Sequence, residues 1–122
     1  MKSMKHKPEI ILDPDKNTFY IAGASFPEDA IRFYAPVVRW LNEYSDLSDT
    51  KEKFQATFKL TYLNSSSHRL LLEIFHLLKK MKEKGMSLQV DWHYEKYDVR
   101  VLESGQELSD MAELPVNMIE YE

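Results

Sequence analysis

The sequence predicts a single α/β domain over residues 1–122, with a mixed sheet of four or five strands and about three helices mainly on one face. Apolar and polar side chains alternate through residues 54–63 and again through 88–94, the period of a half-buried strand. Between these segments, at 70–81, apolar residues recur at three- and four-residue steps, as in a helix packed on a core. Strand, helix and strand in this order predict a right-handed crossover between two parallel strands. Because the strands alternate, one sheet face should carry the helices and the other should be largely polar.

The N-terminal quarter predicts a hairpin. Residues 1–8 lack a periodic pattern and are expected to be flexible. Residues 9–12 and 18–22 are strand candidates, and the turn-forming residues 13–17 lie between them. Gly23 is expected to end the second strand.

The first helix is expected to begin near Pro27, because proline is favoured at the first helical position, and to run to about Tyr44. Pro36 lies inside this segment, so we expect a kink or a late start. Residues 45–53 are polar and without periodicity, which predicts a loop. The apolar stripe expected to face the core consists of Ile31, Tyr34, Ala35, Val38 and Leu41.

Three further elements complete the predicted domain. The central helix should span about 66–84, with Gly85 at its C-terminal cap. A weaker helix is expected at 97–111, where Gly105 lowers the helical propensity, and residues 116–121 should form an edge strand. The periodic patterns place four aromatic residues in the core rather than in a ligand site. They are Trp40, Phe58, Tyr62 and Trp92.

Composition excludes several classes of protein. The chain has no cysteine, which excludes disulfides, thiolate zinc sites and cysteine nucleophiles. The formal net charge of −4 argues against nucleic-acid binding, which depends on neutralising phosphates. No apolar run approaches the roughly 20 residues that span a bilayer, and the basic start lacks the apolar core of a signal peptide. We therefore expect a cytoplasmic protein that needs no cofactor and binds neither nucleic acid nor membrane.

The junction between the central strand and its helix carries the most distinctive chemistry. Asn64, three serines (Ser65, Ser66 and Ser67) and His68 lie where the first backbone N–H groups of the helix lack intrahelical partners. The helix dipole also favours negative charge there, so a phosphate would be stabilised. The alternative is simple helix capping, since Asn64 and Ser65 are both good N-cap residues.

Catalysis and metal binding have little support in the sequence. His68 and His76 are eight residues apart, and no carboxylate follows at the spacing of a zinc-binding helix. His93 lies in a strand pattern, so solvated or hydrogen-bonded histidines are expected and no metal site. No Gly-x-Ser-x-Gly elbow surrounds Ser65, which argues against a serine hydrolase. We expect a protein that is not an enzyme.

This layout is similar to the anti-sigma-factor-antagonist (STAS) domain, in which a serine at the same junction is phosphorylated. That family usually has Asp-Ser-Ser-Gly at the turn, whereas this chain has Asn-Ser-Ser-Ser and no glycine. The chain resembles the SiaC-type regulatory phosphoproteins more closely, small bacterial proteins with a STAS-like fold, over about residues 17–121. Three runs and a helix carry this resemblance: Gly23-x-Ser25-x-Pro27-Glu28, the helix with Trp40, Leu60-x-Tyr62-Leu63-Asn64-Ser65-Ser66-Ser67, and Val90-x-Trp92-His93-Tyr94.

The resemblance implies a non-enzymatic phosphorylation switch in cyclic-di-GMP signalling. It places the phosphate on the hydroxyl residue after the asparagine, Ser65, while the broader STAS turn would favour Ser66. It implies three partners: a protein kinase, a PP2C-like phosphatase, and a diguanylate cyclase that the unphosphorylated form binds and activates. The residues expected to contact partners are Asn64, Ser65, Ser66, Ser67 and His68. The alternative is a constitutive STAS-like module that binds a protein or small ligand without phosphorylation.

Overall fold

The computed structural model describes residues 6–47 and 53–122. Within these residues, five strands and three helices follow one another along the chain. They are β1 (Glu9–Asp13), β2 (Thr18–Ser25), α1 (Ala30–Leu47), β3 (Lys53–Leu63), α2 (Ser65–Glu83), β4 (Ser87–Glu95), α3 (Val99–Ala112) and β5 (Asn117–Tyr121).

The strands form one mixed sheet in the order β1-β2-β3-β4-β5. β1 and β2 form the expected antiparallel hairpin, and β2 to β5 are parallel neighbours. Parallel neighbours that follow one another along the sheet, joined by right-handed crossovers, bring all their helices to the same face. Accordingly α1 contacts α2, and α2 contacts α3. The predicted α/β class, with a five-stranded mixed sheet and three helices, is confirmed.

The core lies between the sheet and the helices. Along β3 the helix-facing residues Phe54 and Phe58 are fully buried, whereas Gln55 on the opposite face is partly exposed. Trp92 on β4 is also fully buried, stacked on Phe58 with ring centroids 5.7 Å apart. The expectation that Tyr62 is a core residue was wrong, because its side chain lies at the end of β3 and is 49% exposed.

The sheet face opposite the helices carries a polar network centred on Asp91. Its carboxylate accepts hydrogen bonds from Gln55 Nε2 (3.0 Å), Asn117 Nδ2 (3.0 Å) and Gln89 Nε2 (3.3 Å). These amides come from β3, β5 and β4 respectively, so the network joins three neighbouring strands. The amides satisfy the oxygens of this carboxylate in the middle of the sheet.

Helix α1 differs from its prediction in start, end and buried face. It begins at Ala30, after Asp29, whose carboxylate accepts the Arg32 N–H at 3.1 Å; Pro27 therefore precedes the helix. It continues past Pro36 to Leu47, so residues 45–47 of the expected loop are helical, residue 53 begins β3, and residues 48–52 lie outside the described chain. Ile31 is 71% exposed rather than part of the core stripe. The residues that α1 buries are Ala30, Tyr34, Val37, Leu41 and Ser45.

The end of β2 is irregular and runs past its expected limit. Gly23 has φ of 103°, and the pairing register with β3 shifts between Gly23 and Ala24. A bulge of this kind redirects the strand. β2 then continues to Ser25, which is fully buried.

The terminus that was expected to be flexible is described only in part. Residues 1–5 lie outside the described chain. The backbone carbonyl of His6 accepts a hydrogen bond from the Phe26 N–H at 2.9 Å. The chain just before β1 is therefore bonded to the segment that follows β2.

Gly105 has a packing role that its low helical propensity concealed. It lies in α3 directly over Trp92, and a Cβ atom at this position would be 2.6 Å from the indole Cδ1 and Nε1. The indole N–H donates to Val101 O at 2.9 Å and the ring stacks on Phe58, so α3 and β3 together fix its position. The absence of a side chain at Gly105 allows α3 to approach the sheet this closely.

Candidate functional site

The site lies at the carboxyl end of β3, where the chain passes through Asn64 into α2. Asn64 has an extended backbone (φ −87°, ψ 176°), and its Oδ1 accepts the Ser67 N–H at 2.9 Å. Asn64 is therefore the N-cap, and α2 begins at Ser65, one residue earlier than expected. Capping, the alternative account of this turn, explains Asn64 and leaves Ser65 without a capping role.

The three serines occupy different environments. Ser65 and Ser66 are exposed, and Ser66 Oγ donates to Asn64 Oδ1 at 3.3 Å. Among the described residues, the Ser65 hydroxyl has no hydrogen-bond partner in the protein. Ser67 is fully buried, which corrects the expectation that it contacts partners: its side chain faces the core and supports the turn from below.

Two residues that sequence reasoning did not assign to the site hold Ser67 in place. Ser25 Oγ donates to Ser67 Oγ at 2.8 Å and lies 2.5 Å from Tyr34 Oη, and all three side chains are fully buried. Burial raises the pKa of Tyr34 to about 12, so the phenol stays protonated. Ser25 stands in the Gly-x-Ser-x-Pro-Glu run, and that run is the signal that could have identified it.

Backbone donors remain available at the start of α2. Four N–H groups lack intrahelical partners at any helix start, and here the Asn64 N–H donates to Ser25 O at 3.0 Å while that of Ser67 donates to the cap. The N–H groups of Ser65 and Ser66 are thus left for an external acceptor. Together with the helix dipole they form a suitable environment for an anion.

Ser65 borders a shallow groove of about 330 Å³ between α2 and α3. His68 lies on the α2 side, and Ser104 and Glu107 lie on the α3 side. His68 Nε2 is 3.6 Å from Glu107 Oε2, which is too far for a hydrogen bond. An adjoining part of the same groove adds Arg100 and Glu103. Charges of both signs therefore surround the Ser65 hydroxyl.

The three histidines that were weighed as metal ligands lie on different parts of the fold. His68 is at the start of α2, His76 is in its middle, and His93 is on β4. Across residues 6–47 and 53–122, His, Asp and Glu side chains nowhere gather in threes with a geometry that could hold a metal ion. In the same part of the chain, none of the helices combines the length and apolar character that crossing a bilayer demands.

Comparison with known proteins places these features in a family. Residues 1–121 match the family described as SiaC family regulatory phosphoprotein. An uncharacterised protein of Pseudomonas aeruginosa (strain UCBPP-PA14) is 27% identical over 108 residues, which cover 88% of this chain and 84% of that protein.

Solved structures share the fold. One is the crystal structure of the diguanylate cyclase SiaD in complex with its activator SiaC from Pseudomonas aeruginosa, with a TM-score of 0.88, 23% identity and coverage of 98% of this chain and 96% of that chain. Another is SiaC of Pseudomonas aeruginosa, with a TM-score of 0.87, 20% identity and coverage of 99% and 96%. The family match extends over almost all of the sequence, and it confirms the resemblance found in the motifs. This chain belongs to the SiaC family of regulatory phosphoproteins.

Proposed function

We propose that this protein is a non-enzymatic partner switch in the cytoplasm, phosphorylated on Ser65, whose unphosphorylated form binds and activates a diguanylate cyclase. The observation that carries the proposal is the state of the Ser65 hydroxyl. It is exposed at the first position of α2, and the described part of the fold does not use it for a hydrogen bond. Ser66 is exposed as well, but its hydroxyl is bonded to the N-cap.

The phosphate would change the charge of the surface more than its shape. It would add about −1.5 to −2 charges beside the start of α2. The helix dipole, the N–H groups of Ser65 and Ser66, and Arg100 favour this charge, while Glu103 and Glu107 on the facing wall oppose it. A client that covers the turn would have to desolvate a dianion, so its affinity should fall.

The proposed partners follow from this cycle. A protein kinase adds the phosphate, a PP2C-like phosphatase removes it, and the cyclase senses the result. The activator role in the solved SiaD–SiaC complex supports a cyclase as client, because that relative shares this chain's fold. The contact surface would include Asn64, Ser65, Ser66 and His68, while Ser67 would act from within.

The decisive experiment compares Ser65→Ala with Ser65→Asp, using Ser66→Ala as the matched control. Binding to the host's SiaD-type diguanylate cyclase is measured by calorimetry, and cyclic-di-GMP synthesis by chromatography. The alanine variant and the control each lose one neutral hydroxyl of the contact surface and gain no charge, so both should still bind and activate the cyclase. The aspartate variant should lose at least about tenfold in affinity, because the client must desolvate the added carboxylate. Tenfold corresponds to about 1.4 kcal/mol of binding free energy.

Intact mass measurement completes the test. Incubation with host kinase and Mg²⁺-ATP should add one phosphate to wild type and to Ser66→Ala, and none to Ser65→Ala. Equal binding by folded Ser65→Ala and Ser65→Asp would contradict the switch. Cyclase binding without any phosphate uptake would instead indicate the alternative, a constitutive binding module.

A further inference from the structure

A series of buried, hydrogen-bonded hydroxyl groups lies beneath residues 64–67, which we call the acceptor turn, and connects three elements. Tyr34 comes from α1, Ser25 from the end of β2 and Ser67 from the first turn of α2. None of the three side chains is exposed to solvent. Buried polar networks of this kind fix geometry, because each unmade hydrogen bond would leave a desolvated group.

The hydrogen bonds have a defined direction. Ser25 has one hydroxyl proton and donates it to Ser67 Oγ at 2.8 Å. The 2.5 Å contact between Ser25 and Tyr34 must therefore use the tyrosine proton, so that Tyr34 donates to Ser25. Tyr34 is thus the first donor in this series of hydrogen bonds, and Ser67, the third residue of α2, is the last acceptor.

The hydrogen bonds continue from Ser67 through the N-cap residue Asn64 to Ser66. The Ser67 N–H donates to Asn64 Oδ1 at 2.9 Å, and the same oxygen accepts the Ser66 hydroxyl at 3.3 Å. Ser25 also holds the Asn64 N–H through its own carbonyl, at 3.0 Å. This path leaves Ser65 as the serine of the triplet whose hydroxyl, within the described residues, makes no hydrogen bond to the protein.

We propose that Tyr34, Ser25 and Ser67 are positioning residues that select Ser65 over Ser66 as the phosphate acceptor. This inference rests on the proposed function, since it concerns which hydroxyl the kinase reaches. A kinase must take up the proton of the attacking hydroxyl, and the Ser66 proton is already engaged with Asn64. One neutral hydrogen bond biases the choice by about twofold to tenfold.

The experiment measures where the phosphate goes. Wild type, Tyr34→Phe and Ser67→Ala are incubated with Mg²⁺-ATP and a kinase preparation from host cells, purified by its transfer of phosphate to the wild-type chain. Fragmentation mass spectrometry then gives the ratio of phosphate on Ser65 to phosphate on Ser66. Wild type should carry it mainly on Ser65. In both variants the share on Ser66 should rise about threefold to tenfold, because the turn is less firmly positioned and the Ser66–Asn64 hydrogen bond is weakened.

Tyr44→Phe is the matched control. Tyr44 also lies on α1 and also donates its phenol proton to another part of the fold, at Asn17 Oδ1, far along the helix from the acceptor turn. This variant loses a comparable bond, so a general loss of stability would affect it equally, yet its site ratio should equal that of wild type. Thermal unfolding of all variants confirms that each is folded.

Each outcome decides between distinct possibilities. An unchanged site ratio in folded Tyr34→Phe and Ser67→Ala would overturn the positioning role and leave the proposed function intact. A ratio that shifts equally in Tyr44→Phe would overturn it too, since the effect would then be global. A wild-type chain that takes up no phosphate would overturn the proposed function itself, and phosphate mainly on Ser66 of wild type would overturn the choice of Ser65.

Discussion

Replacing Gly105 with alanine tests the close contact between α3 and Trp92 of the sheet. The new Cβ would lie 2.6 Å from two atoms of the Trp92 ring, which is fully buried and cannot swing into solvent. Overpacking of this kind costs about 1–3 kcal/mol, and displacing the indole from Val101 O would cost about 1 kcal/mol more. The better helical propensity of alanine returns up to about 1 kcal/mol. We expect a net loss of about 1–3 kcal/mol in the free energy of unfolding.

Urea denaturation followed by circular dichroism measures this loss directly. The midpoint of thermal unfolding should fall by about 4 °C for each kcal/mol lost. Gln106→Ala is the matched control: it is the next residue of α3, it is exposed, and its replacement should change stability by no more than about 0.5 kcal/mol. Trp92→Phe provides a second background, in which the smaller ring leaves room for the new methyl group.

A double-mutant cycle then separates steric conflict from helical propensity. If the two residues conflict as the structure indicates, Gly105→Ala should cost at least about 1 kcal/mol less in the Trp92→Phe background than in the wild-type background. A Gly105→Ala protein as stable as wild type, or the same cost in both backgrounds, would refute the reasoning.

Two further predictions concern the residues around the acceptor turn. Burial raises the pKa of Tyr34 from 10.0 to about 12, so the unfolded chain ionises before the folded one as the pH rises. The stability that the protonated phenol contributes is therefore complete below pH 10 and is lost as the pH approaches 12. Over this window the free energy of unfolding of wild type should fall by about 2–3 kcal/mol and that of Tyr34→Phe by much less, as urea titrations at each pH would measure. Asn64→Ala removes the N-cap and should cost about 1 kcal/mol in urea denaturation, whereas Asn64→Ser should retain most of the stability; equal stability of the alanine variant would contradict the capping role.

Sequence reasoning predicted those features of the site that depend on neighbouring residues in the sequence. The change from strand to helix at Asn64 was visible because a period of two gives way to a period of 3.6 around a residue that favours caps. The start of α2 was misplaced by one residue. The start of α1 was misplaced by three, because Pro27 and Asp29 both favour helix starts and only the hydrogen bond from the Arg32 N–H identifies Asp29 as the cap.

Non-local packing explains what the sequence could not predict. Ile31 shares its helix face with apolar neighbours, yet it is 71% exposed, and α1 buries Val37 instead. Gly105 counted only as a weak helix former, because its close contact with Trp92 exists only after folding. Ser25 and Ser67 are 42 residues apart, and no periodicity indicates a hydrogen bond over that separation.

The amide network around Asp91 disfavours self-association through the sheet face that lies opposite the helices. Its carboxylate is occupied by three amides, and it lies on the sheet face opposite the helices. Two copies laid face to face would trap a pair of like charges in a dry layer, at a cost of several kcal/mol per ion. Stacking of two copies into a sheet sandwich is therefore disfavoured at this face.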